Sequence, residues 1–161
     1  LYESEITPIL CVGETKEDKD LLRTDRVLKK QITYALRYVD DLRRVMIAYE
    51  PVWAIGTKVV PSNDEISKTV KYIKDIVAKQ YQYDDIKVLY GGSVDENNIH
   101  EINKIEEIDG VLIGNASTDA NKFLNIVEVD LEELVQDIMD GKITDGKTQV
   151  ALLKVYHMRN K

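Results

Sequence analysis

Four short apolar runs rich in β-branched residues, Pro8–Val12, Val45–Tyr49, Ile86–Tyr90 and Val111–Ile113, are separated by stretches of helical periodicity. This alternation restricts the fold more than any other feature of the chain. Runs that are apolar on both faces read as strands buried on both sides, and such strands lie parallel because a crossover helix joins each pair. Between the second and third runs, Ile66, Val70, Ile73 and Val77 recur at spacings of three and four. Ser62-Asn63-Asp64-Glu65 fits a capping box just ahead of them. Ile99, Ile102 and Ile105 mark another helix, with Asp95 as its expected start. The expected fold class is therefore α/β, with four parallel strand–helix units filling roughly Thr7 to Glu128.

The stretch beyond Glu128 carries no strand signal. Asp130 can cap a helix with Leu131, Leu134, Val135 and Ile138 on one face, and Gly141 can end it. Asp145 can then cap a second helix through Val150, Leu153 and Tyr156, giving a division into residues 1–128 and a helical extension over 129–161.

Composition narrows the partners. A formal net charge of −7 argues against nucleic acid or an anionic membrane as the main one, since both reward clustered Lys and Arg. An anionic small molecule is still allowed, because backbone N–H groups at helix starts can hold a phosphate inside an acidic protein. The single cysteine, Cys11, cannot make an internal disulfide, and no apolar run is long enough to span a bilayer, so the cytoplasm is the expected location. The opening Leu1-Tyr2-Glu3, without Met or a signal-like segment, suggests a fragment whose N-terminus lies upstream.

In parallel α/β architectures the functional residues belong at the C-terminal ends of the strands. The second strand here runs into Ala48-Tyr49-Glu50-Pro51-Val52-Trp53-Ala54-Ile55-Gly56-Thr57. A carboxylate at the end of an apolar strand is partly desolvated and becomes a usable general base, which makes Glu50 the candidate; the alternative is a rim glutamate in a surface ion pair. The third strand ends in Tyr90-Gly91-Gly92-Ser93-Val94, where two glycines let the backbone approach a ligand and Ser93 adds a hydroxyl and an N–H. The fourth ends in Ile113-Gly114-Asn115-Ala116-Ser117, which repeats the logic. Either loop alone is ordinary turn chemistry, but together they match the phosphate site that barrel enzymes build after their last two strands.

The strings AYEPVWAIGT, LYGGSV and DGVLIGNAS, in this order and preceded by PILCVGET at the first strand, resemble the triosephosphate isomerase family from about Thr7 through Glu128. The resemblance implies the C-terminal half of a TIM barrel, a parallel (βα)4 unit corresponding to the fifth to eighth strands. It implies that Glu50 is the base moving a carbon-bound proton of dihydroxyacetone phosphate or glyceraldehyde 3-phosphate through an enediolate. Environment-tuned acid and base roles in this enzyme are a worked case of the general rule. Pro51, Val52, Trp53, Ala54, Ile55, Gly56 and Thr57 match the start of a mobile lid that excludes water. Gly56, Ser93, Gly114 and Asn115 match positions that hold the substrate phosphate, and Glu14 matches a carboxylate that bonds the Trp53 indole N–H and supports the lid. No cofactor or metal is implied, and the complete family enzyme is expected to be a homodimer.

The sequence departs from the family at three places. Lys58 stands at a lid-hinge position usually held by glycine and has fewer accessible backbone states. Asn115 replaces the commoner second glycine of its loop. Lys74 stands where an arginine commonly pairs with the residue matching Asp109, and an ammonium cannot form a bidentate fork.

The family barrel has eight strands, so the expected partner is a missing N-terminal half bearing the lysine and histidine of the active site. Neither His100 nor His157 can replace that histidine, so the isolated chain is expected to have little isomerase activity. Two open sheet edges would also drive it to seek a partner. The tail, especially Asp140-Gly141-Lys142-Ile143-Thr144-Asp145-Gly146-Lys147-Thr148, is similar to the C-terminal end of Nudix ADP-ribose pyrophosphatases but lacks their metal-binding glutamates. The alternatives are accordingly a non-catalytic phosphate-binding half-barrel and part of a fusion with a Nudix hydrolase.

Overall fold

The computed structural model describes residues 6–57, 59–127 and 139–140. The chain divides into two compact units, the first formed by residues up to Val94 together with Asn98–Gly114, the second by Asp95–Asn97 and residues from Asn115 onward.

The first unit holds a parallel sheet in the order β1-β2-β3-β4, with β1 at Ile9–Val12, β2 at Met46–Tyr49, β3 at Lys87–Tyr90 and β4 at Gly110–Val111. Its α/β character and parallel strands are those expected from the sequence. Helices α1 (Lys16–Asp20) and α2 (Thr24–Leu36) join β1 to β2, α3 (Asn63–Tyr81) joins β2 to β3, and α4 (Ile99–Ile102) precedes β4. The core lies between the sheet and the helices. Ile47, Val88 and Tyr90, on one face of the central strands, form the core with Leu28 and Ile32 of α2 and Ile66, Val70, Ile73 and Val77 of α3, all inaccessible to solvent. The spacing of these α3 residues at three and four puts them on one helical face. The Ser62–Glu65 capping box is formed in both directions, which fixes where the helix starts.

Three sequence expectations shift. The fourth strand begins and ends earlier than Val111–Ile113, because its ladder partner β3 stops at Tyr90, and only Gly110 and Val111 find opposite residues. The first strand is not buried on both faces: Ile9 is 46% exposed and Cys11 is exposed, and these alternate residues share one uncovered face of the sheet with the exposed Lys87 and half-buried Leu89 of β3. Asp95 does not start the helix through Ile99. It accepts the N–H of Asn97 in a turn, and Asn98 is the N-cap. Ile99, Ile102 and Ile105 are buried as the spacing predicts, although only Ile99–Ile102 is regular helix.

The second unit contains a 3-10 turn over Asn115–Thr118 and helix α5 at Ala120–Ile126, capped by the Asp119 carboxylate, which accepts from the N–H groups of Asn121 and Lys122. The two tail helices expected after Asp130 lie outside the described residues, apart from Met139 and Asp140. No helix among the described residues is long and apolar enough to cross a membrane.

The contrast between centre and edge is measurable. Replacing Ile47 by Ala is expected to lower the unfolding free energy by about 2–5 kcal/mol, as for a large side chain deleted from a sealed core. Ile9→Ala should stay within about 0.5 kcal/mol in the same urea titration.

Candidate active site

The parallel register sets the site. Val12 of β1 stands opposite Tyr49 of β2, which stands opposite Tyr90 of β3. The next residues, Gly13, Glu50 and Gly91, therefore form a row along the C-terminal edge of the sheet. The ladder continues into this row: the Glu50 N–H donates to the Val12 carbonyl at 2.7 Å and the Gly91 N–H to the Tyr49 carbonyl at 2.9 Å.

The Glu50 side chain folds across Gly91. A Cβ at that position would come 2.7 Å from Glu50 Cγ and 2.9 Å from Oε1, so only glycine admits the carboxylate there. At Gly92 a Cβ would meet the Tyr90 hydroxyl. The protein atoms that stand close to these two glycines are those of Glu50 and Tyr90. The Tyr90 hydroxyl is buried and has no hydrogen-bond partner among the described residues. Burial and the charge of Glu14 push its phenol well above the ordinary value.

Glu14 is 1% exposed and is the root of the loop after β2. Its Oε1 accepts the Trp53 indole N–H at 2.7 Å, both carboxylate oxygens lie 3.3 Å from the Tyr49 hydroxyl, and its backbone carbonyl accepts the Val52 N–H at 3.0 Å. Gln31 of α2 fixes the peptide just ahead of it, exchanging two 3.0 Å hydrogen bonds with Gly13. Pro51 leads into a 3-10 turn over Val52–Ala54, and Thr57 Oγ1 donates to the Trp53 carbonyl. The indole also lies beneath Lys19, whose ammonium is 3.6 Å from the ring centroid.

Gly56 has φ +68°, a left-handed conformation that a side chain would strain, while Ile55 and Thr57 beside it are exposed. The Ser93 hydroxyl donates to the Ala54 carbonyl at 2.5 Å, and Asn98 Nδ2 holds the Ser93 carbonyl at 2.8 Å. Thus the loop after β3 is fastened to the loop after β2. Gly114 closes the first unit, with open space where a Cβ would be. Asn115 opens the 3-10 turn of the second unit, its carbonyl accepting from Thr118 Oγ1 at 2.7 Å. Lys58 lies outside the described residues.

Of the residues expected from sequence, Glu14, Glu50, the loop from Pro51 to Thr57 and Ser93 are linked within the first unit. Three contributors escaped the sequence reading. Cys11 interacts with Glu50, and burial, then the hydrogen bond and charge of that carboxylate, push its thiol up. Gln31 and Lys19 gave no motif, although Lys19 follows Glu14 at one turn of α1. Lys74 does meet Asp109, at 2.8 Å through one oxygen, with Lys87 at 3.8 Å from the other; two ammonium groups stand around one carboxylate.

The triosephosphate isomerase family model matches residues 1–130. The chain belongs to the triosephosphate isomerase family. Similar curated relatives carry that name: the protein of Mycoplasmopsis agalactiae is 40% identical over 131 residues, 81% of this chain and 48% of the relative. That of Alkaliphilus metalliredigens is 42% identical over 132 residues, 78% and 52%, and that of Prochlorococcus marinus 42% over 123 residues, 76% and 49%. The chain spans about half the length of these triosephosphate isomerases. The similarity of the tail to Nudix pyrophosphatases finds no support in the family match, which ends at residue 130.

Two outcomes test this geometry. Gly91→Ala is expected to lower stability by about 1–3 kcal/mol through overpacking against Glu50. Gly110→Ala, where the near atom is a Leu89 methyl carbon at 3.2 Å, should cost about half of that or less in the same denaturation. The second concerns Tyr49, whose phenol is pushed up chiefly by burial and then by the Glu14 charge, with a Thr69 hydrogen bond acting the other way. A folded value above the unfolded one contributes stability that is whole below about pH 10 and is lost as pH rises further. Native tyrosinate absorbance at pH 10 should therefore be unchanged in Tyr49→Phe; a drop by one phenol's share overturns the assignment.

Proposed function

We propose that this chain supplies the base-bearing and phosphate-holding half of a triose-phosphate isomerase active site. The observation that carries the reading is the position of Glu50, at the C-terminal end of a buried parallel strand, with its carboxylate lying over Gly91 beside the loop fastened by Ser93.

In this reading the Glu50 carboxylate removes a proton from a carbon of dihydroxyacetone phosphate or glyceraldehyde 3-phosphate and returns it to the neighbouring carbon. The electron pair passes through an enediolate and the phosphate takes no part in bond-making. Backbone N–H groups at Gly56, Ser93, Gly114 and Asn115 hold that phosphate, which suits an acidic chain because fixed dipoles do the work of cations. Closure of the loop from Pro51 to Thr57 excludes water and keeps the enediolate from losing phosphate. The half-barrel comprises residues 1–128, and 129–161 form an extension.

The substrate is a phosphorylated triose, the partner is a polypeptide supplying the other four strand–helix units, and the completed barrel forms a homodimer. β1 supports the need for a partner: its outer edge has no strand neighbour among the described residues, Ile6 and Ile9 are exposed, and an apolar cavity of about 250 Å3 runs along Ile6, Ile9, Leu36 and Val45. Among the described residues no histidine is hydrogen-bonded or ion-paired to Glu50, which supports the reading that the electrophile comes from the other half and that the 161-residue chain alone has little turnover.

The test is an isomerisation assay on the chain alone and on the chain combined with the N-terminal half of one of the relatives. The combined protein is expected to interconvert the two trioses, and Glu50→Gln to lower kcat/KM by about 100- to 10,000-fold. A folded assembly whose turnover survives Glu50→Gln refutes the role of Glu50.

A further inference from the structure

We propose that Lys19 is a positioning residue for the loop from Pro51 to Thr57, acting as a cationic clasp on Trp53. Its ammonium lies over the indole face at 3.6 Å from the centroid and pairs with Glu65 Oε1 at 3.2 Å. Glu65 is the third residue of α3, and its other oxygen, Oε2, accepts the Ser62 N–H at 3.0 Å in the capping box. One lysine thus joins the departure of the loop, at Trp53, to its landing, at the first turn of α3.

The position of Lys19 is built in. Glu14 is followed by Thr15, which forms a capping box with Asp18 and starts α1. Lys19 stands one turn into that helix, so Glu14 and Lys19 bracket the same indole, one taking its N–H edge and the other its face. The Lys19–Glu65 pair by itself contributes little, since both side chains are partly in water. The indole is the partner that gives the cation a function. Trp53 also borders a cavity of about 550 Å3 shared with Lys19, Tyr49 and Thr69, which leaves the ring room to move once the clasp releases.

An exposed cation–π contact of this kind biases a two-state loop by about two- to fivefold. Lys19 therefore favours the loop conformation described here over any in which Trp53 has swung away. The holding of Trp53 stands independently of the isomerase reading; its consequence for closure over substrate rests on that reading.

Trp53 is the sole tryptophan of the 161-residue chain, so its fluorescence reads the clasp directly. Lys19→Met, which keeps the stem and removes the charge, is expected to change the emission and to raise acrylamide quenching about twofold, while Lys19→Arg restores both. A folded Lys19→Met chain with wild-type emission and quenching overturns the proposal. Should that variant not fold, Glu65→Gln, which keeps the cap but weakens the tether, is expected to shift quenching the same way, and no shift is again a refutation.

In the assembly completed with a relative's N-terminal half, Lys19→Met is expected to lower KM about two- to fivefold with kcat changed less, and Lys19→Arg to leave both near wild type. An unchanged KM removes the role in closure. No turnover from the wild-type assembly defeats the isomerase reading instead, and the fluorescence result then decides the clasp alone.

Discussion

A carboxylate that is 1% exposed must find its hydrogen bonds inside the protein, and Glu14 finds them in the loop that leaves β2. The Trp53 indole and the Tyr49 hydroxyl both turn toward it, and its own backbone carbonyl takes the Val52 N–H. Removing water from Glu14 therefore dictates the path of the chain immediately after Glu50. The root of this loop is held by a buried charge, while its outer residues Val52, Ile55 and Val59 stay about half exposed.

That strand needs no such help. β2 is flanked by β1 and β3 in parallel register, with Ile47, Ala48 and Tyr49 buried, so the peptide of Glu50 is placed by ladder hydrogen bonds rather than by loop packing. The side chain then goes where glycine leaves space, over Gly91. Cys11, one residue short of the end of β1, joins the same neighbourhood. The C-terminal edge of a parallel sheet collects chemistry because register aligns the residue after each strand, and neighbouring strands deliver their termini to one place.

The same sheet leaves β1 as an open edge, with one strand neighbour among the described residues. One face of the sheet is buried through Ile47, Val88 and Tyr90, while the other leaves Ile9 and Lys87 exposed and Leu89 half-buried. An exposed apolar edge of this kind is a template for another strand. The match to relatives about twice the length of the aligned region is consistent with that requirement. On the helical side the surface is compensated locally. Asp109 accepts the Val88 N–H and draws Lys74 and Lys87 around it, so the lone ammonium in place of a guanidinium does not leave the carboxylate unpaired.

The sequence by itself determined the parallel α/β architecture, the buried face of α3, the capping box at Ser62 and the candidates Glu50 and Ser93, because periodicity, caps and strand-end motifs are local in the chain, whereas Glu14 was a candidate through the family resemblance alone. It misjudged β1 and β4, since the length and burial of a strand depend on what stands beside it. It could not show that the Glu50 side chain lies over Gly91 and the Tyr90 hydroxyl against Gly92, because nothing in the order of residues tells whose atoms will stand beside a missing Cβ. Cys11, Gln31 and Lys19 were invisible as site residues for the same reason. Their partners lie far along the chain, and only the parallel register, the packing of α2 on β1 and that of α1 on α2 bring a thiol to Glu50, an amide to Gly13 and a cation to the face of Trp53.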